Sequence, residues 1–297
     1  MATRSVWLFA GSIIALGLLA APGHAAEVRC ASFYGDTHVT EESAQKLWPS
    51  GARPTATTCR VGSILGEIVR GDYEKFLTLY RPNYPFLEQM SLDSPGGDAD
   101  EAMKIGRLFR KYLLTAVSPG RVDTGNLSYT LSYRTGSYES CEGPDCMCAS
   151  ACALIWFGAP DRSGRIGLHR PRTDDLAFKT LPPSEAANAY KQMLDRIVTY
   201  LDEMETPRPL IDAMVSTSAA DIRWFDMEPI GEAPTRAPSF SEWVDASCGR
   251  FSTQEYQRMM RLDAKQLQQS SSYQRYQKKI ACENELISSN RDRLPRP

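Results

Sequence analysis

The chain has 297 residues, with 34 Lys and Arg against 36 Asp and Glu, a formal charge of −2. That length allows one large or two ordinary domains. The near balance of charge leaves no basic stripe for nucleic acid and no acidic solvating tail, so no nucleic-acid partner is expected.

Residues 1–25 read as a secretory signal peptide. They hold one arginine, an apolar run over 6–21, and then Gly23-His24-Ala25, which fits a small-x-small cleavage site. The apolar run is short for a membrane span, and no later segment is apolar enough to cross a bilayer. A mature chain starting near Ala26 is therefore expected to be exported, to the periplasm or beyond, with no membrane span after cleavage. Residues 26–60 carry few periodic runs and read as an N-terminal arm. A strand is expected over 60–69. Asp72 is expected to cap the amphipathic helix DYEKFLTLYR, which Pro82 and Pro85 end. A buried strand over 86–92 runs into DSPGGD.

A second helix is expected over 99–114, with Ala102, Ile105, Phe109, Tyr112 and Leu113 on one face. Over 118–146 the composition shifts to Gly, Ser, Tyr and Thr, which reads as an irregular or hairpin insertion. The apolar run over 150–157 opens another helix, and RIGLH over 165–169 is a short strand. A long helix is expected over 184–204 through Ala187, Tyr190, Leu194, Ile197, Val198 and Leu201, and one more begins at Leu210. Residues 239–297 read as a C-terminal helical hairpin, with helices over 251–267 and 273–286 and a loose charged tail from Ser288. Strands alternating with helices over 61–238 make an α/β domain.

Five features can carry chemistry. In DSPGGD the two glycines can aim backbone N–H groups at one point beside a helix terminus, a cradle for a developing oxyanion. Ser150, flanked by Ala149 and Ala151 at a helix start, can be a nucleophile if a base takes its proton, or a plain N-cap. The N–H groups of Gly97 and Ala151 would then form the oxyanion hole. His169, at a strand end before Arg170-Pro171, is the candidate base. Asp221 in SAADIRWFD is the best-placed acid to orient it, with Asp226 and Asp212 as rivals. Arg170 and Arg172 could bind acidic groups or be a solvated loop.

Eight cysteines fall in the expected mature chain, and an even count in an oxidising compartment favours disulfides. Cys30 with Cys59 and Cys248 with Cys282 are the local pairs. Cys141, Cys146, Cys148 and Cys152 crowd around Ser150. Four cysteines could bind zinc, but this spacing lacks paired CxxC knuckles, so no metal and no cofactor are expected. Disulfides from Cys148 and Cys152 to Cys141 or Cys146 would stiffen the turn that presents Ser150.

The stretches SLDSPGGDADEAMKIGRLF and CASACALIWFGAPDRSGRIGLHRP, with SAADIRWFDMEPIGEA after them, resemble the Clp protease proteolytic subunit and its ClpP/crotonase superfamily. The resemblance spans about residues 61–233. It implies a ClpP/crotonase-like spiral of β-β-α units, with Ser150 as nucleophile, His169 as base and Asp221 as orienting acid. It implies hydrolysis of an amide in a peptide or protein substrate through an acyl-enzyme, and assembly into a homo-oligomer. The histidine sets the chain apart from the serine–lysine signal peptide peptidases of the same superfamily. Two other readings stand beside the peptidase. One is a catalytically silent module that binds a peptide or protein. The other is a crotonase-type enzyme on acyl-CoA, which export disfavours.

Overall fold

The computed structural model describes residues 25–35, 40–121, 127–130, 140–142, 146–172, 179–227 and 235–297, with backbone alone at 121, 127–130, 140–142 and 227. The expected signal peptide and much of the expected insertion lie outside these residues. A mixed six-stranded sheet runs in the order β1-β2-β3-β4-β8-β9. β1 (Glu27–Phe33) is antiparallel to β2 (Cys59–Leu65). β2, β3 (Gln89–Asp93), β4 (Thr115–Val117) and β8 (Asp161–Leu168) run parallel, and β9 (Arg223–Met227) closes the edge antiparallel to β8. Central strands of a parallel sheet are covered on both faces. That is why β2 and β3 read as near-continuous apolar or small residues rather than alternating ones, and why Val61, Ile64, Met90 and Leu92 are all buried. β5 (Gly120–Arg121), β6 (Leu127–Thr130) and β7 (Ser140–Glu142) make a separate antiparallel sheet within the expected insertion.

The segment read as an arm is more ordered than its composition suggests: β1 joins the main sheet, and α1 (Glu41–Leu47) is capped by Thr40. A disulfide, Cys30–Cys59, ties β1 to β2. α2 (Asp72–Asn83) also starts differently from expectation, because Gly71 is its N-cap. Asp72 turns its carboxylate back to the Val69 N–H at 2.7 Å and pairs with Lys75.

α3 (Ala99–Lys111) is capped by Asp98 and buries Ala102, Ile105 and Phe109, the face read from the sequence. It crosses α4 (Ala151–Gly158) at glycines. A Cβ at Gly158 would lie 2.3 Å from the Gly106 carbonyl oxygen, and one at Gly106 would lie 1.9 Å from Tyr200 Oη. Every residue of α4 is buried. α5 (Pro183–Glu203) buries Ile197, Tyr200 and Leu201 and leaves its first turns exposed, and α6 (Arg208–Ser216) follows.

The C-terminal part is α7 (Pro238–Cys248), α8 (Thr253–Met260), α9 (Ala264–Gln269) and α10 (Ser271–Arg293), with Cys248 bonded to Cys282. The expected loose tail from Ser288 is instead packed down. Ser288, Arg291 and Asp292 are buried, Arg291 donates to the carbonyls of Tyr112 and Leu113, and Asp292 accepts from the N–H and hydroxyl of Ser50. Partners far away in sequence make burial of these charges tolerable. A second ionic cluster fastens α10 to the sheet: Arg236 bonds Glu283 at 2.9 Å and Asp161 at 3.2 Å, while Lys279 bonds Glu283 at 3.0 Å and Asp245 at 2.9 Å. No helix among the described residues is long and apolar enough to cross a membrane.

Burial alone would raise the Glu283 carboxyl, but Arg236 and Lys279 outweigh it and hold it below the usual carboxylate range. A folded-state value below the unfolded one contributes stability above the unfolded pKa and loses it as pH falls. Glu283→Gln should therefore cost about 3 kcal/mol at pH 7 by leaving two half-buried cations short of a partner. The difference from the wild type should shrink below about pH 4, near the ordinary glutamate value. Urea titrations at both pH values check this, and an equal deficit at both would contradict the ion-cluster account.

Candidate functional site

β3 ends at Asp93, and the chain turns through Ser94-Pro95-Gly96-Gly97 into α3. The turn is fixed from both sides. Ile68 N–H donates to Gly96 O and Asp98 N–H to Ile68 O, each at 2.7 Å, while the Ser94 hydroxyl accepts the Gly96 N–H at 3.1 Å. Gly96 and Gly97 hold φ of 110° and 130°, and a Cβ at Gly97 would stand 2.1 Å from Ile68 O. Glycine is what this path requires.

Residues 147–150 enter the sheet in line with β4. They bridge Ser94 on one side and Gly167 on the other, taking the place between β3 and β8 that β4 occupies further back. Ser94 N–H donates to Met147 O at 2.6 Å, Ala149 N–H to Ser94 O at 3.0 Å, and Ser150 N–H to Gly167 O at 2.9 Å. Asp93 anchors the entry by accepting the Met147 N–H at 2.9 Å. At Ser150 the strand path stops and α4 begins.

Ser150 makes that change at φ 56° and ψ −121°, a conformation that costs a non-glycine residue about 1–3 kcal/mol. It stands at the N-cap position, yet its side chain accepts no hydrogen bond from the first turn. The plain capping role is thus not taken up. Gly96 lies directly against it: a Cβ there would be 2.6 Å from Ser150 Cβ and 3.0 Å from Ala151 N. Among the described residues, neither the Gly97 N–H nor the Ala151 N–H has a hydrogen-bond acceptor. The second of these is at the positive end of α4.

The sequence suggested that Cys148 and Cys152 would bond to Cys141 or Cys146. They bond to each other instead, with Cα atoms 5.2 Å apart. The sharp turn at Ser150 brings the last extended residues back over the first helical turn, within the range a disulfide spans. Both sulfurs are buried, and the bond encloses Ser150 in a short loop. Cys146 is disulfide-bonded as well, and the Cys141 side chain lies outside the described residues.

The far end of α4 is held by two arginines that the sequence reading did not single out. Arg110 Nε donates to Gly158 O at 3.0 Å, and Arg162 Nη1 donates to Phe157 O at 2.6 Å. They satisfy carbonyls at the negative end of the dipole of a fully buried helix. Arg162 is 1% exposed, and burial followed by the nearby Arg110 pushes its guanidinium down to about 9.

His169 follows β8, two residues beyond Gly167, the backbone partner of Ser150. Its Nδ1 lies 2.9 Å from Arg170 O. In a neutral ring Nδ1 then donates, which leaves the lone pair on Nε2. Arg170 N–H in turn donates to Thr217 O at 3.0 Å, which ties this loop to the segment carrying Asp221. Asp221 itself is exposed, and among the described residues no hydrogen bond joins it to His169, nor His169 to the Ser150 hydroxyl. The rival acids are engaged elsewhere, Asp226 with Arg165 at 3.4 Å and Asp212 with Arg208 at 2.9 Å.

Gly167 was also missed, although a glycine inside a strand signals close approach. A Cβ there would lie 2.6 Å from Ile222 and 2.9 Å from Trp224, which sit on this side of the site. Among the described residues no group of three or more His, Cys, Asp or Glu is placed to hold a metal ion. Against known proteins, no family model matches the chain, and no curated protein matches its sequence.

The backbone strain at Ser150 gives a direct test. Ser150→Gly should be more stable than Ser150→Ala by about 1–2 kcal/mol, because glycine adopts this φ without penalty. Denaturation midpoints of the two variants measure it. An alanine variant equal to or more stable than the glycine variant would contradict a strained turn.

Proposed function

We propose that this chain is an exported, periplasmic serine hydrolase of peptidase type, built on a ClpP/crotonase-like α/β spiral. The observation that carries the proposal is the Ser150 turn. A serine is held in a strained strand-to-helix conformation, its hydroxyl unused as a cap, against Gly96 and next to Ala151, and neither the Gly97 nor the Ala151 N–H has an acceptor among the described residues. Strain of this kind persists where surrounding structure over-determines it, and nucleophilic serines at strand-to-helix turns are one such place. The disulfide pairs Cys30–Cys59, Cys148–Cys152 and Cys248–Cys282 support an oxidising compartment.

In the proposed reaction His169 Nε2 takes the Ser150 proton as Oγ attacks the amide carbonyl. The N–H groups of Gly97 and Ala151 receive the oxyanion. His169 then protonates the leaving amine, and water releases the acyl group by the reverse sequence. The Arg170 carbonyl fixes the imidazole tautomer in the absence of a bound carboxylate. Asp221 would have to swing from its exposed position to serve as the orienting acid.

A second reading, a silent module that binds a peptide or protein, draws support from that same geometry: neither the Ser150–His169 nor the His169–Asp221 bond is made. Active-site hydrogen bonds are often loose before substrate binds, so the unmade bonds do not exclude the hydrolase. Treating the mature protein with a fluorophosphonate probe and locating the label by mass spectrometry separates the two. The hydrolase reading expects label on Ser150 and a rate at least about 100-fold lower in His169→Ala, the usual scale for loss of a general base. An unlabelled Ser150 in folded protein, or a rate indifferent to His169, would favour the silent module.

A further inference from the structure

Directly after His169 the chain walls a cleft of about 450 Å³. One side is Arg170-Pro171-Arg172. The other is the exposed start of α5, with Ala186, Ala187 and Tyr190, and Ala219 contributes from the loop before β9. The walls are held in place. Arg170 is pinned through its N–H to Thr217 O and through its carbonyl to His169, and Tyr190 Oη donates to Pro171 O at 3.3 Å. The small alanine side chains leave the space open.

Among the described residues, the charged side chains lining the cleft are Arg170 and Arg172, and both are exposed. A guanidinium matches a carboxylate in a two-point fork, and a concave wall strengthens the field of the charge it carries. The cleft begins one residue past the proposed base.

We propose that the cleft is a specificity subsite for acidic peptides, in which Arg170 binds the side-chain carboxylate of a substrate Asp or Glu close to the scissile bond. The assignment rests on the hydrolase reading for its place beside the scissile bond, but the carboxylate site can be measured without turnover.

The test uses the full mature chain carrying Ser150→Ala and fluorescence anisotropy of fluorescein-labelled peptides. The probe is C-terminally amidated Ala-Ala-Glu-Ala-Ala, compared with its Gln counterpart, amidated and as the free acid. The expected result is at least ten-fold tighter binding of the Glu peptide than of the amidated Gln peptide. That preference should vanish in Arg170→Gln and return in part in Arg170→Lys. Arg170 is exposed, and circular dichroism of each variant verifies its fold. Equal or absent binding of the Glu and amidated Gln peptides, or an undiminished preference in Arg170→Gln, would overturn the subsite. Tight binding of the free-acid Gln peptide would overturn the side-chain assignment in favour of a terminal carboxylate. Fluorophosphonate labelling of wild-type protein is read in parallel. A Glu preference without labelling upholds the carboxylate site and overturns the hydrolase reading alone.

Discussion

The conformation of Ser150 is the constraint on which the rest of the site depends. A chain that enters the sheet as a strand must leave it as a buried helix within one residue. Ser150 makes that reversal at φ 56°. Each neighbouring feature serves it. Gly96 has no Cβ because Ser150 Cβ is already there, and Gly97 has none because Ile68 is. The backbone bonds to Ser94 and Gly167 fix the residues before the turn, and the Cys148–Cys152 bond joins the strand side to the helix side. Closing so short a loop restricts the unfolded chain by about 2 kcal/mol, comparable to the strain it opposes.

The helix behind the turn has its own requirement. An eight-residue helix with every residue buried must find donors for its last carbonyls within the protein. Arg110 and Arg162 supply the donors, and Tyr200 Oη bonds Leu154 O at 2.8 Å. The positive end of the same helix lies at Ala151. Donors at the far end keep the helix intact in an apolar interior, so its first N–H can point into the site. Stability at one end and electrostatics at the other are thus properties of a single element.

Much of this was legible in the sequence, and the failures have local causes. The apolar face of α3 and the later part of the α5 face, Ile197 and Leu201, follow from periodicity, whereas Ala187 in the expected α5 face is exposed, and α4 reads from its unbroken apolar run. The glycine turn and the serine flanked by alanines marked the strand-to-helix reversal because those residue types are needed for close backbone approach. β1 was missed because an edge strand with one covered face lacks a continuous apolar run. β9 was missed because RWFDM is short and carries charges that pair outward. The tail read as loose because Arg291 and Asp292 look like surface residues until Ser50, Tyr112 and Leu113 are folded against them. The Cys148–Cys152 pairing depends on a backbone angle at Ser150 that composition does not encode. Asp221 rested on position after a helix, and the structure leaves it facing solvent, with the Arg170 carbonyl at the imidazole instead.

The most direct measurement is a crystal structure of the mature protein after reaction with a fluorophosphonate. The account predicts a phosphonyl group on Ser150 Oγ, its oxygen about 2.7–3.1 Å from the N–H groups of both Gly97 and Ala151. His169 Nε2 should lie within hydrogen-bond reach of Oγ. A phosphonate attached to another residue, or one on Ser150 whose oxygen points to solvent away from both N–H groups, would contradict the claim that this turn was built to present a nucleophile.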